Sequence, residues 1–317
     1  MTDNVNYIVI ALGGNAILQK KDKGTADEQY KRVHTAISKL LPLINKVPHI
    51  VITHGNGPQV GDILLRYELT KDNHPMMPLD VCNAQSQGFI GYMLIDAISD
   101  LLPADKHPDK IPIAIVTRVL VNKDDPDFKN PSKPVGKWYD EKEAEEARKM
   151  GFNIKEIEKG KFRRVVPSPI PIKTLELESV KRCLDKNMIV VASGGGGIPV
   201  SINEEKNYYE GVEAVIDKDR AGSLMARDLN ADMFIILTDV DKVYLNYGKE
   251  NQKALDKLSA TEMKKYVDEG HFAAGSMGPK VSACLEFVEK TGKNAIITSL
   301  DKASDIFKGA GTHIYKG

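Results

Sequence analysis

Three apolar runs, each broken off by glycines, constrain this chain more than any other feature. Tyr7-Ile-Val-Ile-Ala-Leu12 stops at Gly13-Gly14-Asn15, His49-Ile-Val-Ile-Thr-His54 stops at Gly55-Asn56-Gly57-Pro58, and Met188-Ile-Val-Val-Ala-Ser193 stops at Gly194-Gly195-Gly196-Gly197. β-Branched residues without polar alternation describe strands covered on both faces, as in a parallel sheet. Glycine lets the backbone turn sharply and bring its N–H groups to a ligand, because no Cβ intervenes. Ligands of open α/β sheets bind just beyond the carboxyl ends of the strands. Three such turns on one sheet edge predict a cradle of donors for an anion. Any one of them alone would equally suit an ordinary strand-to-helix turn.

Between these runs the apolar spacing changes to three and four. Tyr30, Val33, Ile37, Leu40, Leu41 and Ile44 predict an amphipathic helix over 26–46, and further helices follow over about 58–71, 80–102, 174–187 and 259–268, with one more entered through Val212–Gly222 and continuing to about 230 and another opened by the small-residue loop 273–280. The helix over 80–102 carries apolar residues on more than one narrow face, which suits burial beneath the sheet or a subunit interface. Additional strands are expected at 111–119, 233–239, 293–299 and, as a last edge, 312–316. About eight strands alternating with helices mean an α/β fold in three layers, with a largely parallel central sheet. Residues 122–171 break this rhythm. They are polar and proline-rich up to Pro134, with a charged helix at about 140–150, and read as a protruding excursion or as a solvated surface loop.

Composition excludes several function classes. Lys plus Arg and Asp plus Glu number 44 each, so the surplus of basic charge that drives non-specific nucleic-acid binding is missing. Cys82, Cys183 and Cys284 are widely spaced and odd in number, which argues against a disulfide framework or a structural zinc site and suits a reducing cytoplasm. The residues before the first strand are polar and acidic, unlike a signal peptide, and no apolar run approaches the ~20 residues of a membrane span.

The sequence has no GxxxxGK[ST], no GxGxxG after the first strand, no HExxH and no GxSxG. What remains besides the glycine turns is lysines in unusual company: Lys133 between Pro131 and Pro134, Lys218 between Asp217 and Asp219, and Lys280 after Gly278-Pro279. A lysine at a helix entrance joins N–H groups that already favour anions, which suits a polyphosphate. Phosphoryl transfer asks mostly for such charge compensation and for alignment. Each lysine taken singly would pass for a solvated surface charge.

Together, Ile10-Ala-Leu-Gly-Gly-Asn-Ala16, Thr53-His-Gly-Asn-Gly-Pro-Gln-Val-Gly61, Asn130-Pro-Ser-Lys-Pro-Val-Gly136, Ala192-Ser-Gly-Gly-Gly-Gly-Ile-Pro199, Glu213-Ala-Val-Ile-Asp-Lys-Asp219 and Gly275-Ser-Met-Gly-Pro-Lys-Val281 resemble the carbamate kinases of the amino-acid kinase family. The resemblance spans the chain and implies an N-terminal lobe (1–121), a protruding subdomain acting as a lid (122–171) and a C-terminal, nucleotide-binding lobe (172–317). It implies the reaction ATP + carbamate ⇌ ADP + carbamoyl phosphate, with Mg²⁺ carried chiefly by the nucleotide and water, in a cytoplasmic homodimer serving arginine catabolism. Neither nucleic acid nor membrane is an expected partner. Lys133, Lys218, Asp219 and Lys280 are the implied catalytic residues. Gly13, Gly14, Asn15, Gly55, Asn56, Gly194 and Gly195 are the implied substrate site. Thr238, Asp239, Tyr244, Gly275, Met277 and Gly278 are placed at the nucleotide. No protein ligand to a metal is assigned. Other members of the wider family, such as acetylglutamate kinase, and a non-catalytic nucleotide or metabolite sensor on the same fold remain the rival readings.

Overall fold

The structure is a computed structural model that describes residues 5–19, 22–273 and 275–317. Residues 1–4, whose polarity argued against a leader, and residue 274 of the small-residue loop lie outside that set.

The central sheet has eight strands: β1 (Tyr7–Leu12), β2 (His49–His54), β3 (Pro112–Ala114), β4 (Ile189–Val191), β5 (Met233–Thr238), β6 (Lys257–Ser259), β7 (Asn294–Ser299) and β8 (Thr312–Tyr315). Their order is β6-β8-β7-β5-β1-β2-β4-β3. The six strands from β7 to β3 run parallel, and β8 is antiparallel to β7 while pairing in parallel with β6. The helices are α1 (Ala26–Lys46), α2 (Gly57–Thr70), α3 (Leu79–Leu101), α4 (Glu141–Lys149), α5 (Leu177–Leu184), α6 (Lys218–Asp228), α7 (Ala260–Asp268) and α8 (Met277–Thr291).

Alternation along β1 creates the three layers. Ile8, Ile10 and Leu12 join a core with Val33, Ile37 and Leu40 of α1 and with Ile90, Leu94 and Ile98 of α3. Val9 and Ala11 face the opposite core, with Met225 of α6 and Cys284, Phe287 and Val288 of α8. Fully burying each such Ile or Leu contributes about 2 kcal/mol, which is why these strands tolerate no polar alternation. Helix ends follow local chemistry. Thr25 with Glu28, Asp140 with Glu143 and Ser259 with Glu262 form capping boxes at α1, α4 and α7.

Several expectations need correction. The run 111–119 is not one strand. Pro112–Ala114 pairs with β4, and Arg118–Val121 departs into a separate four-stranded sheet with Pro171–Thr174, Ile198–Asn203 and Tyr208–Gly211. The break falls at Thr117, where Gln87 on α3 accepts from Thr117 N through Oε1 at 2.8 Å and donates to Thr117 O through Nε2 at 3.1 Å. Thr117 O also accepts from Ile198 N at 2.9 Å, so at this residue the backbone passes from the central sheet to the second one. β8 is not the sheet edge, because the three-residue β6, too short to read in sequence, lies outside it. Thr174 ends a strand instead of opening a helix, and α5 is confined to Leu177–Leu184. Glu176 explains the delay, since it accepts from both the backbone and the guanidinium of Arg118 and so ties the chain to the neighbouring strand.

The segment 122–171 holds a three-stranded sheet (Lys133–Tyr139, Lys161–Val166, Ile154–Glu158) with α4 packed on it. Tyr139, Ala144 and Ala147 form its small core with Phe152, Ile154 and Phe162. It departs after Arg118–Val121 and returns at Pro171–Thr174, two strands that pair with each other.

Candidate functional site

β1, β2 and β4 are immediate neighbours, so the three glycine turns stand side by side at one sheet edge. They touch. A methyl group placed on Gly55 would lie 3.3 Å from the Gly14 amide nitrogen and 3.2 Å from Lys218 Cδ. The third turn is held differently. Ser193, Gly195, Gly196 and Gly197 all have positive φ, between 53° and 92°. Its backbone is secured by side chains from α3: Gln87 Nε2 donates to Gly194 O at 2.9 Å and Asn83 Nδ2 donates to Gly197 O at 2.7 Å. This turn leads into the strand Ile198–Asn203, not into a helix.

Two helices reach the site with open N-termini. α2 follows Asn56 and α8 follows Ser276 with no side-chain cap and no acidic residue in the first turn, although at α8 the Ser276 and Gly278 amides already bond to Ala273 O. α6 differs, since Asp217 caps it by accepting from Asp219 N and Arg220 N.

The lysines converge on two carboxylates. Lys218 Nζ and Lys280 Nζ both bind Asp219, the latter at 3.0 Å, and Asp219 is only 2% exposed. Lys133 Nζ donates to Asp217 Oδ2 at 3.0 Å. Three ammonium groups against two carboxylates leave positive charge at the entrance of α6. Burial raises the pKa of Asp217, yet Lys133, Lys218 and the Asp219 amide outweigh it and hold the carboxyl well below its usual range. Among the described residues no group of three or more His, Cys, Asp or Glu gathers to hold a metal.

Next to this cluster a cavity of about 610 Å³ is lined by Thr238, Asp239, Tyr244, Met277 and Lys280, with Phe272 and His271 among its other walls. Gly278 opens α8 beside it, its N–H bonded to Ala273 O at 3.0 Å, and Gly275 precedes Ser276 at the same rim. Tyr244 donates to Asp241 at 2.6 Å, a bond that pushes its phenol up to about 12. Two links join cradle and cavity: Asp219 between Lys218 and Lys280, and Asn15 Nδ2 donating to Asp239 Oδ2 at 2.5 Å. Every residue expected at the site is thus gathered around the turn cluster, the α6 entrance or this cavity. A larger space of about 790 Å³ between the end of α2 and the base of the 122–171 segment contains none of them, and its Arg164 is already paired with Glu213 at 2.7 Å.

A model of the amino acid kinase family matches residues 6–299. The chain is 46% identical to a carbamate kinase of Trichomonas vaginalis over 95% of its own length and 96% of that protein. It is 46% identical to a carbamate kinase of Pyrococcus horikoshii over 97% and 98% of the two chains. A solved carbamate kinase of Giardia lamblia bound to AMP-PNP superposes with a TM-score of 0.92 at 44% identity, covering 100% of both chains. The chain belongs to the amino acid kinase family.

Within this family member, sequence reasoning missed the residues that support the turns. His54 is fully buried, and desolvation pushes its pKa down to about 4 despite the hydrogen bond between Nδ1 and Gly55 O. Its imidazole is therefore neutral and packs on Gly194, where an added Cβ would lie 2.4 Å from Nε2. Asn83, Ser86 and Gln87 are buried on α3 at helical spacings of three and four. Polar residues repeating on a buried helix face were the available signal. Asp217 carried one too, as an Asp immediately before a helix.

Proposed function

We propose that this chain is a carbamate kinase, catalysing ATP + carbamate ⇌ ADP + carbamoyl phosphate. The observation that carries the reading is Asp219 holding Lys218, against the glycine turns, and Lys280, on the wall of the nucleotide-sized cavity. A phosphoryl group passing from cavity to cradle would cross between those two ammonium groups. ATP or ADP is the co-substrate and fills the cavity between Tyr244, Asp239 and Met277. The amides of Gly13, Gly14, Gly55 and Asn56, with Asn15, Gly194 and Gly195, hold the carboxylate-like substrate and the transferring phosphoryl.

In the forward direction a carbamate oxygen attacks the γ-phosphorus and the bond to the β,γ-bridging oxygen breaks, leaving ADP. No general base is required, because the attacking oxygen is already anionic. Lys218 and Lys280 offset charge developing on the phosphoryl and leaving oxygens, and Asp219 fixes their spacing. Lys133 leaves Asp217 to cover the substrate as the 122–171 segment closes. Asp217 and Asp219 are committed to lysines and Asp239 to Asn15, so any Mg²⁺ would be held chiefly by the nucleotide's phosphates and water and would add charge neutralisation there.

Residues 1–121, 122–171 and 172–317 would then act as substrate lobe, lid and nucleotide lobe. A homodimer is supported by the exposed Val81, Phe89 and Tyr92 of α3 and by Ile111 and Val116 flanking edge strand β3. Light scattering at micromolar concentration tests it, and a monomer would remove it. A cytoplasmic location, which three free cysteines support, and ATP formation in arginine catabolism complete the reading. The deciding experiment is a coupled assay of ATP formed from ADP and carbamoyl phosphate with Mg²⁺. Folded protein inactive there but active on acetylglutamate would overturn the assignment.

A further inference from the structure

We propose that Asn56 Oδ1 reads the amino group of the carbamoyl substrate, and that Asn83 and Ser86 of α3 lock the amide so that its oxygen is the atom presented. The proposal rests on the carbamate kinase reading and names the atom that makes that site selective.

The orientation of an Asn amide follows from its partners, and here the chain of bonds ends on two backbone carbonyls, which can only accept. Asn83 Nδ2 donates to Gly197 O at 2.7 Å, so Asn83 turns Oδ1 towards Asn56. Ser86 spends its one proton on Asn83 O at 2.7 Å; its 3.4 Å approach to Asn83 Oδ1 is too long to compete. At Asn56 the Ser86 hydroxyl can therefore only accept. The Asn56 atom 2.6 Å from Asn83 Oδ1 and 2.8 Å from Ser86 Oγ must donate to both, so it is Nδ2 with both protons used. Gly195 leaves room for this pair, since a Cβ there would lie 2.2 Å from Asn56 Nδ2 and 2.6 Å from Asn83 Oδ1.

Asn56 Oδ1 is left over. No hydrogen bond among the described residues ends on it, yet it is not one of the sealed side-chain atoms that lack a partner, which are Gln59 Oε1, Arg163 Nε, Thr174 Oγ1 and Ser193 Oγ. It therefore stays accessible although the residue as a whole is 5% exposed. At the adjacent Gly55 the turn meets the Gly14 amide and the Lys218 side chain, donors suited to oxygen atoms. An acceptor fixed among donors suits an N–H. Carbamoyl phosphate has that N–H where acetyl phosphate, of the same shape, has a methyl group. Against the methyl group Asn56 Oδ1 would lose water and gain nothing, and sites of this kind reject the analogue by up to about 10⁴–10⁵.

The test is ATP formation from ADP with carbamoyl phosphate and, separately, acetyl phosphate, read as the ratio of the two kcat/KM values. The wild-type ratio should be at least about 10³, and Asn56→Ala should lower it by about 10² or more. Asn83→Ala with Ser86→Ala keeps Asn56 but frees its amide to turn, and should lower the ratio about 10-fold. Should Asn56→Ala not fold, Ser86→Ala alone carries the same readout, with a smaller fall. A wild-type ratio near one, or an unchanged ratio in variants that still bind ADP normally, overturns the proposal. Wild-type protein that makes ATP from neither phosphate would instead remove the carbamate kinase reading beneath it.

Discussion

Lys133 Nζ and Asp217 Oδ2 are 3.0 Å apart, so a single ion pair joins the 122–171 segment to the cap of α6. Both side chains are mostly buried, at 29% and 21% exposure, and the pair lies one residue from Lys218. The lysine is thus held beside the Lys218–Asp219–Lys280 cluster by the residue that caps α6.

If Lys133 serves closure over the small substrate as proposed, Lys133→Ala should raise the KM for carbamoyl phosphate by about 10-fold while sparing the KM for ADP. Steady-state kinetics with each substrate varied in turn would check this. An unchanged carbamoyl phosphate KM would count against a lid role.

Lys218→Ala and Lys280→Ala should each lower kcat by ~10²–10³, the scale of removing one preorganised donor. Lys280→Arg should not restore it, since a planar fork cannot replace a point charge already seated on a buried carboxylate. Asp219→Asn should lower turnover and also lower stability by about 3 kcal/mol, because it removes the carboxylate that two largely buried ammonium groups share and leaves only Asp217, already paired with Lys133, beside Lys218. Urea unfolding beside kinetics separates the two effects.

Acid should act on stability through His54 first. Its pKa is about 4 in the folded protein against an ordinary 6.5, so below pH 6.5 the unfolded chain takes up a proton that the folded chain refuses. Stability contributed by the neutral imidazole is complete above 6.5 and falls by about 3 kcal/mol as pH approaches 4. Asp217 acts lower: its depressed pKa gives stability that is complete above about pH 4 and lost below it. Denaturant midpoints of wild type and His54→Asn from pH 4.5 to 7.5 should converge at the acid end. Parallel curves would show that His54 carries no linkage.

Gly55→Ala should lower kcat/KM by about 10-fold or more with a modest loss of stability. The added methyl would meet the Gly14 amide at 3.3 Å and Lys218 Cδ at 3.2 Å, and the lysine is the partner able to yield. Small displacements of aligned groups are expensive in rate. Kinetics with a thermal melt would distinguish this from simple unfolding.

Much was legible locally. β-Branched runs ended by glycine identified β1, β2 and β4, because burial on both faces removes polar alternation and a sharp turn needs glycine. Ser259 with Glu262 marked the start of α7, because a capping box is contained within four residues. The lysine positions were visible as motifs, and so was the unusual polarity of residues 122–134.

The tertiary structure alone decided the partnerships. Asp219 meets Lys280 from 61 residues away, and Asn56 meets Asn83 from 27. Nothing in either local stretch encodes which distant group will complete its hydrogen bonds. Likewise the apolar run from Ile111 to Val119 divides between two sheets at Thr117, whose backbone meets Gln87, on a helix 30 residues earlier, and Ile198, 81 residues later. Periodicity and turn chemistry are written within a few residues, whereas the satisfaction of buried polar groups is settled only when packing brings their partners together.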